Sequence, residues 1–314
     1  MKFKGDGMRR SAAAALAALV LAACGGGDQV SPFVPSRVLA FGDENSVIEA
    51  DGHKHTINEA SFDCTENPIW VQALATAYGL VFEECPGTAA SPASRIFAVQ
   101  DANATDVVAQ IDGFLADPGA AFRDTDLVTV FAGTNDVIDQ FEAIVAGATE
   151  GQALTALDQA GSALAAQVNR VGNAGGKVLV LLVPDVNLTP YGVAESADNQ
   201  ALLNRLTTQF NNSLRTGLIN DARMIGLVQA DVMVRNTVAA PGTLVNVVDA
   251  ACDPAEAALV QDCTTDTLVD ATDETAAGAE RGSDWLWADR LHLSPKGHAS
   301  LGELAIARAR ANPF

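Results

Sequence analysis

Short apolar runs rich in β-branched residues alternate along this chain with longer segments in which apolar side chains return every three or four positions. A continuous apolar run fits a strand covered on both faces, and the three-to-four spacing fits a helix with one buried stripe. Strands are expected at Arg37 to Phe41, Leu127 to Ala132, Lys177 to Val183 and Met224 to Ala230, with a weaker one at Leu80 to Phe82. Between them, Val71, Leu74, Ala75 and Tyr78 mark a helix over Ile69 to Tyr78, and Val108, Ile111 and Leu115 mark another over Thr105 to Leu115. Val137 to Ala148 and Ala153 to Gly172 read as helices, as does the amphipathic segment carrying Leu202, Leu203, Leu206, Phe210, Leu214 and Leu218. Ser294 as cap and Pro295 at the first helical position open a last helix that runs to about Ala311.

Repeated strand-then-helix units predict an α/β domain built on a parallel sheet. A three-layer, flavodoxin-like fold accounts for residues 37–314: five parallel strands in the order 2-1-3-4-5, with helices on both faces. In such a sheet, ligands sit beyond the carboxyl ends of the strands. The stretch at about 232–284 breaks the rhythm. It is rich in Asp, Thr, Ala and Gly, holds Cys252 and Cys263, and reads as an ordered insertion.

The N-terminus has a different character. Lys2, Lys4, Arg9 and Arg10 precede an Ala/Leu/Val run from Ser11 to Ala23, too short to span a bilayer as a helix, so residues 1–23 read as a cleaved export signal. Leu21-Ala22-Ala23-Cys24 resembles the bacterial lipoprotein box, which implies a lipidated Cys24, a tether over 24–36 and an exported lipoprotein at the cell envelope, in the outer membrane. Export places Cys64, Cys85, Cys252 and Cys263 in an oxidising compartment. Of the three connectivities open to four cysteines, closeness in sequence favours Cys64 with Cys85 and Cys252 with Cys263. The formal net charge is −20; without the four basic leader residues and Asp6, 15 basic side chains face 38 acidic ones, a net −23. Such a surface repels nucleic acid, which is not an expected partner.

Three segments carry candidate chemistry. Phe41-Gly42-Asp43-Glu44-Asn45-Ser46 follows strand one, Gly133-Thr134-Asn135-Asp136 follows strand three, and Asp289-Arg290-Leu291-His292 precedes the last helix. Together with Leu182-Val183-Pro184-Asp185 and Trp285-Leu286-Trp287-Ala288, they resemble the GDSL, or SGNH, family of ester hydrolases over nearly the whole mature chain. The resemblance implies that Asn135 is an oxyanion-hole donor, His292 the general base and Asp289 the carboxylate that orients it. It implies no cofactor and no metal. His298 fits as a second, structural histidine. His53 and His55 alternate in a way zinc tolerates, although a solvated turn explains them more simply.

Two positions depart from the family. Glu44 stands where the nucleophilic serine is expected, and Gln100 or Asp101 where the oxyanion-hole glycine is expected. A carboxylate at the first would form an anhydride rather than an acyl ester, and a carboxylate at the second would oppose the developing negative charge. Ser46, two residues on, is the provisional nucleophile, with helix capping as its plainer role. Glu44 could instead serve as base for a bound water. The function expected is a carboxylic-ester hydrolase acting on an acyl ester or an acetylated glycan. The alternative is a catalytically inactive relative that binds a ligand or partner in the old cleft.

Overall fold

The computed structural model describes residues 32–269, 284–311 and 314. The expected export signal, Cys24 and the first part of the expected tether lie outside the described residues, as do residues 270–283 of the expected insertion. Five strands form one parallel sheet in the order β2-β1-β3-β4-β5. They are β1 (Arg37–Gly42), β2 (Arg95–Ile96), β3 (Asp126–Phe131), β4 (Lys177–Leu181) and β5 (Ile225–Val228). Alternation along each strand sends its side chains into two separate cores. Leu39, Phe41, Val128, Val130, Val178 and Val180 face one core, where α2 (Asp106–Ala116), α3 (Thr134–Val145), α4 (Glu150–Asn173) and α6 (Ala197–Gly217) cover the sheet. Val38, Ala40, Leu127, Phe131, Leu179 and Leu181 face the other, beneath α1 (Trp70–Thr76), α7 (Ala230–Ala239) and α8 (Pro295–Ala309). A single turn, α5 (Pro190–Val193), precedes α6. Trp70 is fully buried in the second core.

The second strand corrects the sequence expectation. Leu80 to Phe82 does not join β1; Arg95–Ile96 does, pairing Leu39 with Arg95 and Ala40 with Ile96. Phe82 bridges instead to Ser94, outside the named strands. A two-residue edge strand that opens on a charged arginine offers neither length nor alternation, so no hydrophobic signal marks it.

The insertion also contains more regular structure than its composition suggests. β6 (Asn246–Ala250) pairs in parallel with β7 (Trp285–Trp287), a second, two-stranded sheet. The Ala251 and Cys252 amides donate to the Trp287 and Ala288 carbonyls at 3.1 and 2.8 Å, so the insertion is laced to the segment that leads into Asp289. Trp287 is buried, its indole N–H donating to the Val247 carbonyl at 3.1 Å.

Cys64 bonds Cys85, and Cys252 bonds Cys263, the pairing that sequence proximity favours. The Cys64–Cys85 bridge spans a sequence separation of 21 and ties down α1. Closing a loop of that length removes chain entropy from the unfolded state worth about 3 kcal/mol. The double variant Cys64→Ser/Cys85→Ser is expected to lose about that much stability, read from the midpoint of urea unfolding under oxidising conditions.

Candidate active site

The tips of β1 and β3 meet where glycine is required. Gly42 has φ +134°, and a Cβ there would lie 1.9 Å from the Phe131 carbonyl oxygen, so the chain turns off the sheet only with hydrogen at this position. The Asp43 amide then donates to Phe131 O at 2.9 Å, and Gln110 clasps Gly42 through both its amide and its carbonyl, each at 2.8 Å. Asp43 caps the short 3₁₀ turn Glu44–Ser46 by accepting from the Asn45 amide at 3.1 Å. Buried completely, its carboxyl is pushed well above the usual range by desolvation and by the charge of Glu44.

Across the crevice, Gly133 at φ +124° lets β3 turn into α3; a Cβ there would strike the Phe210 ring at 2.3 Å. Asn135 occupies the first turn of that helix, and its side-chain amide donates to Ala102 O at 3.2 Å. Asp136 accepts from the Ala104 amide at 2.8 Å, fixing the same loop from the neighbouring position. Burial raises the Asp136 pKa to about 6. The third segment is a tight carboxylate-capped turn. Asp289 Oδ1 accepts from the Leu291 and His292 amides at 2.8 and 2.7 Å, and both Asp289 oxygens lie 2.9 Å from His292 Nδ1. This fixes Nδ1 as the protonated side toward Asp289 and turns Nε2 inward.

All three segments converge on Glu44. Its Oε2 accepts from the Asp101 backbone N–H at 3.0 Å and from Asn135 Nδ2 at 3.1 Å, while Oε1 stands 3.4 Å from His292 Nε2. The carboxylate therefore fills the position at which two donors would hold an oxyanion. Asp101 corrects the sequence expectation: its carboxylate is exposed, and its backbone N–H is what faces the site. The residue sits at φ +58°, a conformation glycine adopts without strain, which explains why glycine is expected there. Ser46 is corrected too. Its hydroxyl is fully buried and hydrogen-bonds nothing, His292 included, because the 3₁₀ turn directs it into the protein and Glu44 toward the imidazole.

The charges settle into an alternating row. Burial pulls the His292 pKa down, but the charge and hydrogen bond of Asp289, then those of Glu44, outweigh it and lift the imidazole to about 10. Burial would raise Glu44 and Asp289, yet His292 holds both below the ordinary carboxylate range. At neutral pH the site is carboxylate, imidazolium, carboxylate. His55, expected in a solvated turn, lies instead 3% exposed with its ring centroid 5.5 Å from that of His292. Burial and the His292 charge depress it to about 4, and neither ring nitrogen has a hydrogen-bond partner. Its alternation with His53 was the only sequence signal for it. His298 is fully buried and accepts from the Trp70 amide at 3.4 Å. Among the described residues no group of three or more His, Cys, Asp or Glu side chains is arranged to hold a metal ion.

Residues 38–305 match the GDSL-like Lipase/Acylhydrolase family, which is most of the chain. The protein belongs to that family. Among solved structures, the lipase Lip_vut3 from a goat rumen metagenome aligns with 88% of this chain and 99% of its own, with a TM-score of 0.51 and 13% identity. An acetylxylan esterase, Axe2 from Geobacillus stearothermophilus, aligns with 90% of this chain and 99% of its own, with a TM-score of 0.46 and 12% identity. At 13% identity, the likeness to the rumen lipase is one of fold. No curated protein matches the chain. Within this GDSL family, the sheet order 2-1-3-4-5 is the one the strand–helix pattern predicts.

The raised pKa of His292 sets a pH dependence. Its folded value of about 10 lies above the ordinary 6.5, so its contribution to stability is complete below pH 6.5 and lost as pH rises through 10. NMR titration of the imidazole is expected to find it protonated at pH 8. In Glu44→Gln, where one of its two carboxylate partners is neutral, its pKa is expected to fall; an unchanged value would disprove the coupling.

Proposed function

We propose that this protein is an envelope-anchored member of the GDSL lipase/acylhydrolase family that keeps the ester-hydrolase cleft and has lost the acyl-serine step. One observation supports this above the others: the Glu44 carboxylate rests on the Asp101 N–H and the Asn135 amide, where a substrate oxyanion would need to be. An acyl ester entering the cleft would meet an anion in its oxyanion site and an imidazolium unable to accept a proton. The cleft then serves to bind an ester-like ligand, an acyl ester or an acetylated glycan, without cleaving it through a serine. Ester hydrolysis at this cleft is the second reading, and the convergence of Asn135, His292 and Asp289 on one point favours it. In that case Glu44 would have to act as base toward a bound water.

A short-chain p-nitrophenyl ester separates the two. The wild type is expected to be inactive, and Glu44→Ser to gain hydrolysis that Glu44→Ser/His292→Ala lacks. Wild-type turnover that Glu44→Gln abolishes would favour the second reading.

The envelope location rests on the lipoprotein-box resemblance at Cys24. No helix among the described residues is long and apolar enough to cross a membrane, so the lipid would carry the attachment. Expression in a bacterial host fed a clickable palmitate is expected to label the wild type and not Cys24→Ser, with the variant recovered in the soluble fraction.

A further inference from the structure

The two oxygens of Glu44 have unequal surroundings, and the inequality suits a particular reaction. Oε2 carries the Asp101 N–H at 3.0 Å and the nearer contact of Asn135 Nδ2, 3.1 Å away, while Oε1 lies 3.4 Å from the same Nδ2. Oε1 faces the imidazole, whose far side is tied to Asp289. A carboxylate attacking an ester carbonyl yields an anhydride and achieves little. Attacking a strained saturated carbon, it yields an ordinary ester, and carboxylates are competent nucleophiles there. The groups around Glu44 are those needed to hydrolyse such an ester: two donors on its own carbonyl oxygen, and a carboxylate-oriented histidine beside it.

We propose that Glu44 is the nucleophile of an epoxide hydrolysis, with Oε1 attacking an epoxide carbon and Oε2 becoming the stabilised oxyanion of the second step. This rests on the preceding reading, that residue 44 closes the acyl-serine route, and goes beyond it. In the first step Oε1 forms a bond to an epoxide carbon, the carbon–oxygen bond of the ring breaks on the side away from Oε1, and the ring oxygen takes a proton from a water that His292 Nε2 reprotonates. The products are a hydroxyalkyl ester of Glu44 and a neutral imidazole.

Esterification removes the Glu44 charge that helped keep His292 protonated, so the imidazole is left free to act as a base. It takes a proton from water as the water oxygen bonds to the Glu44 side-chain carboxyl carbon. The negative charge then rests on Oε2, between Asp101 N–H and Asn135. Collapse breaks the bond from that carbon to Oε1, and the departing oxygen is protonated by His292. The glutamic acid left behind returns its proton to the imidazole, restoring the starting charges. Overall, one epoxide and one water give one vicinal diol.

An imidazolium beside the nucleophile favours a leaving group that accepts a proton, which selects an epoxide over an alkyl halide. A cavity of about 580 Å³ beside Asp101 is lined by Phe97, Val99 and Phe114 on one part and by Gln100, Asp106 and Gln110 on another, room for a substituent of mixed polarity.

The test uses the wild-type protein in excess over 1,2-epoxyhexane or styrene oxide in H₂¹⁸O. After one turnover, the label is expected in the peptide carrying Glu44 and not in the diol, whose new oxygen comes from the carboxylate. Asn135→Ala is expected to hydrolyse the ester about 100-fold more slowly and to accumulate an adduct of the epoxide's mass on Glu44. Glu44→Gln is expected to form neither adduct nor diol. Label in the diol alone, an adduct on another residue, or no reaction of wild type with either epoxide would overturn the proposal. Such an outcome is distinguishable from failure of the preceding reading, because the esterase gain of Glu44→Ser is measured independently.

Discussion

The site depends on the close approach of β1 and β3 at Gly42 and Phe131. With a Cβ at Gly42 the two strand ends could not come together, and the Asp43 amide could not reach the Phe131 carbonyl. Because they do, the turn after β1 opens directly opposite the start of α3. Glu44 and Asn135, 91 residues apart in sequence, are then within hydrogen-bond distance. The parallel sheet supplies the rest of the placement, since its strand ends lie on one edge and whatever follows them shares a crevice.

What fills that crevice is a row of charges, with an anion at the position where the family resemblance places a serine hydroxyl. Two carboxylates flank one buried imidazole; against burial, the imidazole holds the pKa of both below the ordinary range, and together they raise that of the histidine. Burial opposes all three ionisations; mutual attraction and the fixed donors overcome it. The row resembles in its charges the tetrahedral stage of acyl transfer, with the Glu44 carboxylate in place of a substrate oxyanion. A serine hydrolase passes through that state, whereas this site rests in it.

The insertion contributes at a distance. β6 pairs with β7, and their backbone bonds continue to Ala288, the residue before Asp289. The Cys252–Cys263 bridge anchors the far side of the same unit, where the Asn58 amide donates to the Cys263 carbonyl at 2.8 Å. The turn bearing Asp289 and His292 is thereby braced by a segment whose composition announces only irregular chain. His55 reaches the site from the loop just before Asn58, and Ile57 of that loop packs with Cys252 and Cys263.

The sequence by itself determined the layered fold, because continuous apolar strands and three-to-four helical spacing each bury surface in only one way. It also determined both disulfide partners, through their nearness in the chain, and marked the two segments at the tips of β1 and β3 and the one before the last helix. It left β2 hidden, since two residues beginning with a charged arginine carry no periodic signal. Only the tertiary structure decided that Ser46 points into the protein, that Asp101 offers its amide and not its carboxylate, and that His55 lies beside His292. Each of those is a matter of backbone direction at a single residue. Such directions are set by contacts between segments tens to hundreds of positions apart, which no local pattern of residues records.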